Sequence, residues 1–294
     1  MTKWKSSDIP DQTGRTFVVT GANSGLGLET TRALAAHGAH VIMAVRDQAK
    51  GRAALERLDG NLELRQLDLA DLDSVHAFAE TVTKVDVLVN NAGVMMPPRT
   101  LTQQGFELQL GTNHLAHFAL TGLLLGKLAK GDAPRVVTVS SGLASRGKID
   151  FDDLNGAKSY SPTTYYAQSK LANQLFTLEL ARRLATAGLP VTALMAHPGY
   201  AATNLQSTGP RGLMNLLMKP SNLLLAQSAA MGALPQLYAA TAPGVKPGEY
   251  YGPDGLGDMR GHPKLVRPVK AATDEAAARR FWELSEKLTG VEYP

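Results

Sequence analysis

The chain of 294 residues contains no cysteine. Disulfides, thiolate catalysis and cysteine-held zinc are thereby excluded, and the composition fits a reducing compartment, so a cytoplasmic location is expected. The opening residues Met1-Thr2-Lys3-Trp4-Lys5 lack the apolar core of a secretion signal. No stretch reaches the ~18 uninterrupted apolar residues of a membrane span. The nearest, Leu115 to Leu128, is broken by His117, Thr121 and Lys127 and reads as a buried helix. Long basic runs are also missing. Lys and Arg are mixed with Asp and Glu at a formal net charge of +4, which argues against a nucleic-acid partner. A modest positive field would instead help collect an anionic cofactor. His114 and His117 share a predicted helix but have no third ligand in view, so no metal is expected.

What is present is a globular composition, 44% hydrophobic and 19% charged. Short apolar, β-branched runs alternate with helical patterns through the first half. Strands are expected at Thr16 to Thr20, His40 to Val45, Leu62 to Leu67 and Val85 to Val89. Helices are expected from Leu26 to His37, Asp47 to Leu58 and Leu72 to Val82. Later strands are read at Arg135 to Val139 and Val191 to Met195, with long helices around Asn113 to Lys127 and from Thr163 to Ala187. Tyr250-Tyr251 reads as a last short strand, and Asp274 to Leu288 as a terminal helix. Continuous apolar strands separated by helices imply an α/β fold. The expected form is a doubly wound, Rossmann-type, mostly parallel sheet covered on both faces. No linker or repeat divides the chain, so one domain is expected over 1–294, with a Leu/Met-rich insertion on the substrate side at about 205–241.

The first strand runs into Thr20-Gly21-Ala22-Asn23-Ser24-Gly25-Leu26-Gly27, and a helix follows. Glycines allow a tight turn and close approach of the backbone to a pyrophosphate, and the helix N-terminus offers N–H groups and positive dipole. Further along stand Asn90-Asn91-Ala92-Gly93, Asn113, Ser141 and Tyr166-x-x-x-Lys170, in that order. Together these motifs resemble the short-chain dehydrogenase/reductase family over about Thr16 to Thr203. Gly111-Thr112-Asn113-His114-Leu115, Tyr166-Ala167-Gln168-Ser169-Lys170 and Gly252-Pro253-Asp254-Gly255 resemble its retinol-dehydrogenase-like and WW-domain-oxidoreductase-like branch, here without a WW domain.

The resemblance implies a dinucleotide held by Gly21, Asn23, Ser24, Gly25, Leu26 and Gly27, with Asp68 and Leu69 framing the adenine. Asn90, Ala92 and Gly93 would approach the cofactor, and Pro198, Gly199 and Thr203 would lie against the nicotinamide carboxamide. Arg46 follows the second strand where an acidic residue would bond the ribose of NAD. A guanidinium there suits a 2′-phosphate, so NADP(H) is preferred over NAD(H). Asp47 reads as a helix cap.

Tyr166 and Lys170 are four apart on a predicted helix and share one face. A phenol is a poor acid–base group near neutral pH, and a nearby ammonium is expected to bring its pKa down. Tyr166 is therefore the expected general acid/base; Tyr165, with Ser169 at the same spacing, is not. By resemblance, Ser141 would bond the substrate oxygen, Lys170 the nicotinamide ribose, and Asn113 a proton-relay water. The expected reaction interconverts a carbonyl and an alcohol on an apolar small molecule. Leu213, Met214, Leu217 and Met218 are read either as packing or as an adaptable lid over such a substrate. Membrane contact is disfavoured, and monomer and homodimer are both left open. The alternative reading is an NADPH-binding regulatory or scaffold protein with little turnover.

Overall fold

A computed structural model describes residues 3–201 and 227–294. Thr203 and the Leu213 to Met218 stripe lie outside the described residues. The strands are β1 Thr16–Thr20, β2 His40–Val45, β3 Asn61–Gln66, β4 Val87–Asn90, β5 Arg135–Val139, β6 Thr192–Ala196, β7 Tyr250–Pro253 and β8 Pro263–Val266. They form one sheet in the order β3-β2-β1-β4-β5-β6-β7-β8. All pairings are parallel except that of β7 with β8. The main helices among the described residues are α1 Gly25–Ala36, α2 Gln48–Leu55, α3 Leu72–Thr81, α4 Ala116–Leu128, α5 Pro162–Thr186, α6 Ala229–Thr241 and α7 Glu275–Thr289.

Alternation along each strand explains why the runs are continuously apolar. Phe17, Val19, Val41, Met43, Val87, Val89 and Val137 face a core shared with Leu34 of α1 and Ala233, Leu234 and Leu237 of α6. The residues between them, Val18, Ile42, Leu88 and Val136, face a second core with Phe78, Leu120, Phe176 and Trp282. Both faces are therefore dry, as the period of two requires when helices cover each side. Helix starts follow local chemistry. Asp47, Asp71, Ser161, Ser228 and Asp274 each accept a first-turn N–H through their side chains.

Two boundaries differ from the sequence reading. The Tyr250 strand is not the last, because β8 returns antiparallel beside it with Tyr251 opposite Leu265. β8 is short, starts on a proline and alternates little. It can sit only at an edge, where no second ladder is needed. The helix expected around Asn113 begins at Leu108, and Gly111–Leu115 form a wider π-type turn before α4. The stretch about 205–241 is described only from residue 227 on, and its last part is α6, packed on the sheet.

The strand order reverses between β1 and β4. Diverging loops at such a switch point leave a crevice beyond the carboxyl ends of the strands, and the residues singled out by the sequence gather there.

Candidate active site

Beyond β1, β2 and β4 lies a cleft of about 870 Å³. Of the expected cofactor residues, Gly21, Asn23, Ser24, Arg46, Asp68, Leu69, Ala92 and Gly93 line it. The loop that opens α1 is drawn tight. Gly21 adopts φ 68°, and a Cβ on Gly27 would stand 2.3 Å from the Gly21 carbonyl oxygen. Only glycine permits that closure. Ser24 sits at the N-cap of α1, but its side chain makes no cap bond. Unlike the five capped helices, α1 therefore keeps its first turn undecorated toward the cleft.

Thr20 holds this edge together. Its Oγ1 accepts the main-chain N–H of Asn91 at 3.0 Å and of Ala92 at 2.9 Å, and lies 2.9 Å from His117 Nε2. Asn91 in turn donates to Thr20 O at 2.8 Å and accepts from Gln236 of α6 at 3.1 Å. Asn90 points its amide inward to Thr121 at 3.0 Å, so its side chain is a strut between β4 and α4. Burial pushes His117 down to about 4, which keeps the ring neutral.

Arg46 is joined in the cleft by Lys50 and Arg57, which the sequence reading did not single out. Only the folding of α2 against the second strand's end brings them to the same wall; in sequence they look like ordinary surface cations. Asp47 caps α2 by accepting from Lys50 N at 3.0 Å. Asp68 both lines the cleft and closes its own turn, accepting from Ala70 N at 2.9 Å.

The catalytic candidates converge from three elements. Tyr166 and Lys170 lie on α5, 5% and 3% exposed, with the lysine Nζ 5.9 Å from the phenol ring centre. Ser141, just past β5, lies near enough to the Tyr166 phenol to favour its ionised form. Lys170 Nζ donates to Val139 O at 3.0 Å, and Ser140 Oγ donates to Lys170 O at 2.9 Å. Ser140 is thus a brace from β5 to α5. Asn113, in the wide turn, accepts from Val94 N at 2.8 Å and donates to Val94 O at 3.0 Å and to Ser169 Oγ at 2.9 Å. Gly93 separates the two groups: a Cβ there would lie 3.0 Å from Asn113 Oδ1 and 3.6 Å from Lys170 Nζ.

One electrostatic expectation is overturned. Burial pushes the Tyr166 phenol up to about 12, only partly offset by Ser141, and pushes Lys170 down to about 8. The ammonium donates to the Val139 carbonyl, and desolvation is the leading cause of both shifts. Tyr165 is disposed of by geometry, since its hydroxyl donates to Asp153 O at 2.6 Å in the aspartate-bearing loop before α5.

Beside the cleft, Val94 to Pro97 form a strap. Met96 has φ 53°, a conformation that costs a non-glycine residue roughly 1–2 kcal/mol. Met96 N donates to Gln109 Oε1 at 2.8 Å, and Tyr160 OH donates to Pro97 O at 3.1 Å. Glu107, fully buried, accepts from Leu110 N at 2.8 Å and from Tyr160 OH at 3.1 Å; burial pushes its carboxyl up. On the opposite side, Pro198 O accepts from Gln227 Nε2 at 2.6 Å. Gly199, at φ 64°, is packed where a Cβ would meet Met259 O at 2.3 Å. Leu26 lies beside Gly232 of α6 rather than along the cleft wall.

Residues 15–211 match the protein family described as short chain dehydrogenase. Retinol dehydrogenase 13 of Homo sapiens is 43% identical over 296 residues, covering 96% of this chain and 86% of the relative. Retinol dehydrogenase 14 of Mus musculus is 41% identical over 303 residues, covering 95% and 86%. A crystal structure of an uncharacterized protein from Mycobacterium Paratuberculosis matches with a TM-score of 0.87 and 47% identity over 100% of both chains.

Proposed function

The chain belongs to the short-chain dehydrogenase/reductase family, in its retinol-dehydrogenase-like branch, and on that premise we propose that it is an NADP(H)-dependent oxidoreductase interconverting an apolar carbonyl and its alcohol. The observation that carries the reading is the buried Tyr166–Lys170 pair on one face of α5, with Ser141 beside the phenol.

The residues present fit a phosphorylated dinucleotide. The first turn of α1 is uncapped beside the cleft, which suits a pyrophosphate. Arg46, Lys50 and Arg57 line the same cleft, which suits a further phosphate and favours NADP(H) over NAD(H). Bound NADPH would supply the hydride. The chain's own residues do the rest.

Tyr166, with its phenol held neutral by burial, gives a proton to the carbonyl oxygen in reduction, and in oxidation its phenolate takes the proton back from the alcohol. Ser141 donates a hydrogen bond to the same oxygen as charge develops on it. Lys170, pushed down to about 8, is still mostly cationic at neutral pH. It and Tyr166 would hold the nicotinamide ribose, and Pro198 and Gly199 would lie against its carboxamide. Asn113 fixes Val94 and the wide turn, leaving Lys170 room beside Gly93 to exchange a proton with a relay water. A site ordered in this way would hold donor and acceptor in one geometry, which supplies much of the gain open to a bimolecular transfer.

The test is NADPH oxidation over a panel of apolar aldehydes and ketones, with NADH in parallel. Arg46→Ala should lower the preference for NADPH about tenfold, equivalent to ~1.4 kcal/mol. Equal use of both cofactors, unmoved by Arg46→Ala, would overturn the cofactor assignment. Tight NADPH binding without turnover on the whole panel would replace the enzyme by a binding protein.

A further inference from the structure

His117, the second residue of α4, is 1% exposed and has no part in the chemistry above. A buried imidazole gives up its hydration and stays in a core only when its polar atoms are bonded. Both ring nitrogens are. Nε2 lies 2.9 Å from Thr20 Oγ1, and Nδ1 lies 3.1 Å from the Asn113 carbonyl oxygen. The neighbours decide which nitrogen carries the proton. A carbonyl oxygen only accepts, so Nδ1 must be the N–H. Thr20 Oγ1 already accepts from Asn91 N at 3.0 Å and from Ala92 N at 2.9 Å, which fills its two lone pairs. Its own proton must go outward, and Nε2 at 2.9 Å is better placed to take it than Val89 O at 3.4 Å. Both ends therefore demand the same form, a neutral ring with Nδ1 protonated and Nε2 bare. Burial works in the same direction, with the nearby Lys170 charge adding to it and the bond to Asn113 opposing it, and holds the ring down at about 4.

What the ring joins gives the arrangement its use. Thr20 ends β1 and, through its hydroxyl, holds the main chain of Asn91 and Ala92 at the cleft that Ala92 lines. Asn113 sits in the wide turn, where the ordinary helical ladder is interrupted, and its side chain holds Val94 and Ser169. The main chain of His117 is tied as well. Its carbonyl accepts from Thr121 Oγ1 at 2.7 Å, and Thr121 Oγ1 accepts from Asn90 Nδ2 at 3.0 Å, at the end of β4. One side chain thus spans the edge of the dinucleotide cleft and the turn that stands beside Lys170.

We propose that His117 is a positioning residue that, as a neutral imidazole protonated at Nδ1, couples the dinucleotide edge at Thr20 to the Asn113 turn and so sets the cleft against Tyr166 and Lys170. The assignment rests on the oxidoreductase reading above and deepens it. His117 does not line the cleft. It acts through Thr20 on cofactor affinity and through Asn113 on the rate of the chemical step.

Two measurements test it. The first is made on the parent protein and needs no turnover. Nitrogen NMR of labelled histidine, assigned by the resonances that a substitution at His117 removes, should show Nδ1 protonated and Nε2 bare. The pattern should hold from about pH 8 to about pH 5.5, a range in which an ordinary histidine titrates. A bare Nδ1, or a ring that gains a second proton in that range, would overturn the proposal. The second measurement separates the two halves of the bridge, because asparagine carries its amide at the reach of Nδ1 and glutamine at the reach of Nε2. His117→Asn keeps a donor for Asn113 O and loses Thr20. NADPH should then bind about three- to tenfold more weakly, the worth of one hydrogen bond, with kcat for decanal close to the parent's. His117→Gln keeps Thr20 and loses Asn113 O, so kcat should fall by a similar factor while NADPH affinity stays close to the parent's. Equal changes in the two variants, or a lower thermal midpoint alone, would overturn the assignment. The stated tautomer and the weaker binding of His117→Asn, in a protein that reduces no carbonyl, would keep the bridge and reject the oxidoreductase reading instead.

Discussion

At the end of the sheet where the parallel strands begin, Asp86 accepts from Thr16 N and from Asp132 N, each at 2.6 Å. Arg15 donates to Gln12 and to the carbonyls of Asp132 and Ala133, and Arg135 donates to Ala239 O at 2.9 Å. These buried charges close on main-chain groups and lock loops to the sheet. At the other end, where the strands finish, Lys170 meets a single carbonyl, Ser24 leaves α1 uncapped, and Arg46, Lys50 and Arg57 border an open cleft. Both ends bury charge beside the same strands. At the first end most hydrogen bonds close within the protein, Arg15 Nε excepted, and at the other Arg46, Lys50 and Arg57 present exposed donors to the cleft. The contrast is sharpest at Lys170, whose buried ammonium has donors left over beyond the bond to Val139 O and so carries a desolvation cost that a cofactor hydroxyl would relieve.

The sharpest way to break the comparison is at Tyr166. Tyr166→Phe deletes one hydroxyl at the finishing end and keeps the ring's packing. Carbonyl reduction should fall about 10²–10⁴-fold while the thermal midpoint stays close to that of the parent. A large fall in midpoint with activity retained would place the phenol among the structural groups. The reverse pattern is expected at the starting end. Asp86→Ala orphans the buried N–H of Thr16 and the part-buried N–H of Asp132 and should cost ~1–3 kcal/mol of stability, read by denaturant unfolding, with NADPH affinity of the folded protein unchanged. Loss of NADPH affinity without loss of stability would erase the distinction between the two ends.

How far this contrast could be read from sequence differs by element. β1, β2, β4, β5 and β6 were legible because both faces of each strand are buried, so their runs are largely apolar, whereas β3, at the sheet edge, is only half-buried and alternates apolar with polar residues. β8 was not legible, since an exposed edge strand imposes no such pattern: Lys264 and Leu265 face solvent. Tyr166 and Lys170 were legible from helical spacing, and Arg46 from its place after a strand. Lys50 and Arg57 reach the cleft through the packing of α2, which leaves no local mark. The wide turn at Asn113 was hidden inside an uninterrupted helical pattern. Met96 was hidden for the opposite reason: methionine is a poor choice for φ 53°, so propensity points away from the conformation that the Gln109 bond imposes. The pKa of Tyr166 was misjudged because spacing places the ammonium on the right face but cannot say that Val139 O takes its hydrogen bond.

The smallest expected effect concerns that ammonium and sharpens the comparison further. Burial holds Lys170 below its ordinary 10.5, at about 8. Below about pH 8 the folded and unfolded chains both carry the proton, and the folded state bears the full cost of a buried charge. Between about 8 and 10.5 the unfolded chain still binds a proton that the folded chain has released, so stability rises with pH, by up to ~1.4 kcal/mol per unit. Tyr166 works in the opposite sense. Its phenol is raised from 10 to about 12, so above pH 10 the unfolded chain loses a proton first and stability falls. The window that isolates the lysine is therefore about pH 8 to 10. There, without cofactor, the stability of the parent should climb relative to that of Lys170→Met, which has no proton to release. Parallel curves would mean that the amine keeps its ordinary affinity for a proton, and that a second partner satisfies it as fully as Thr16 and Asp132 satisfy Asp86 at the opposite end.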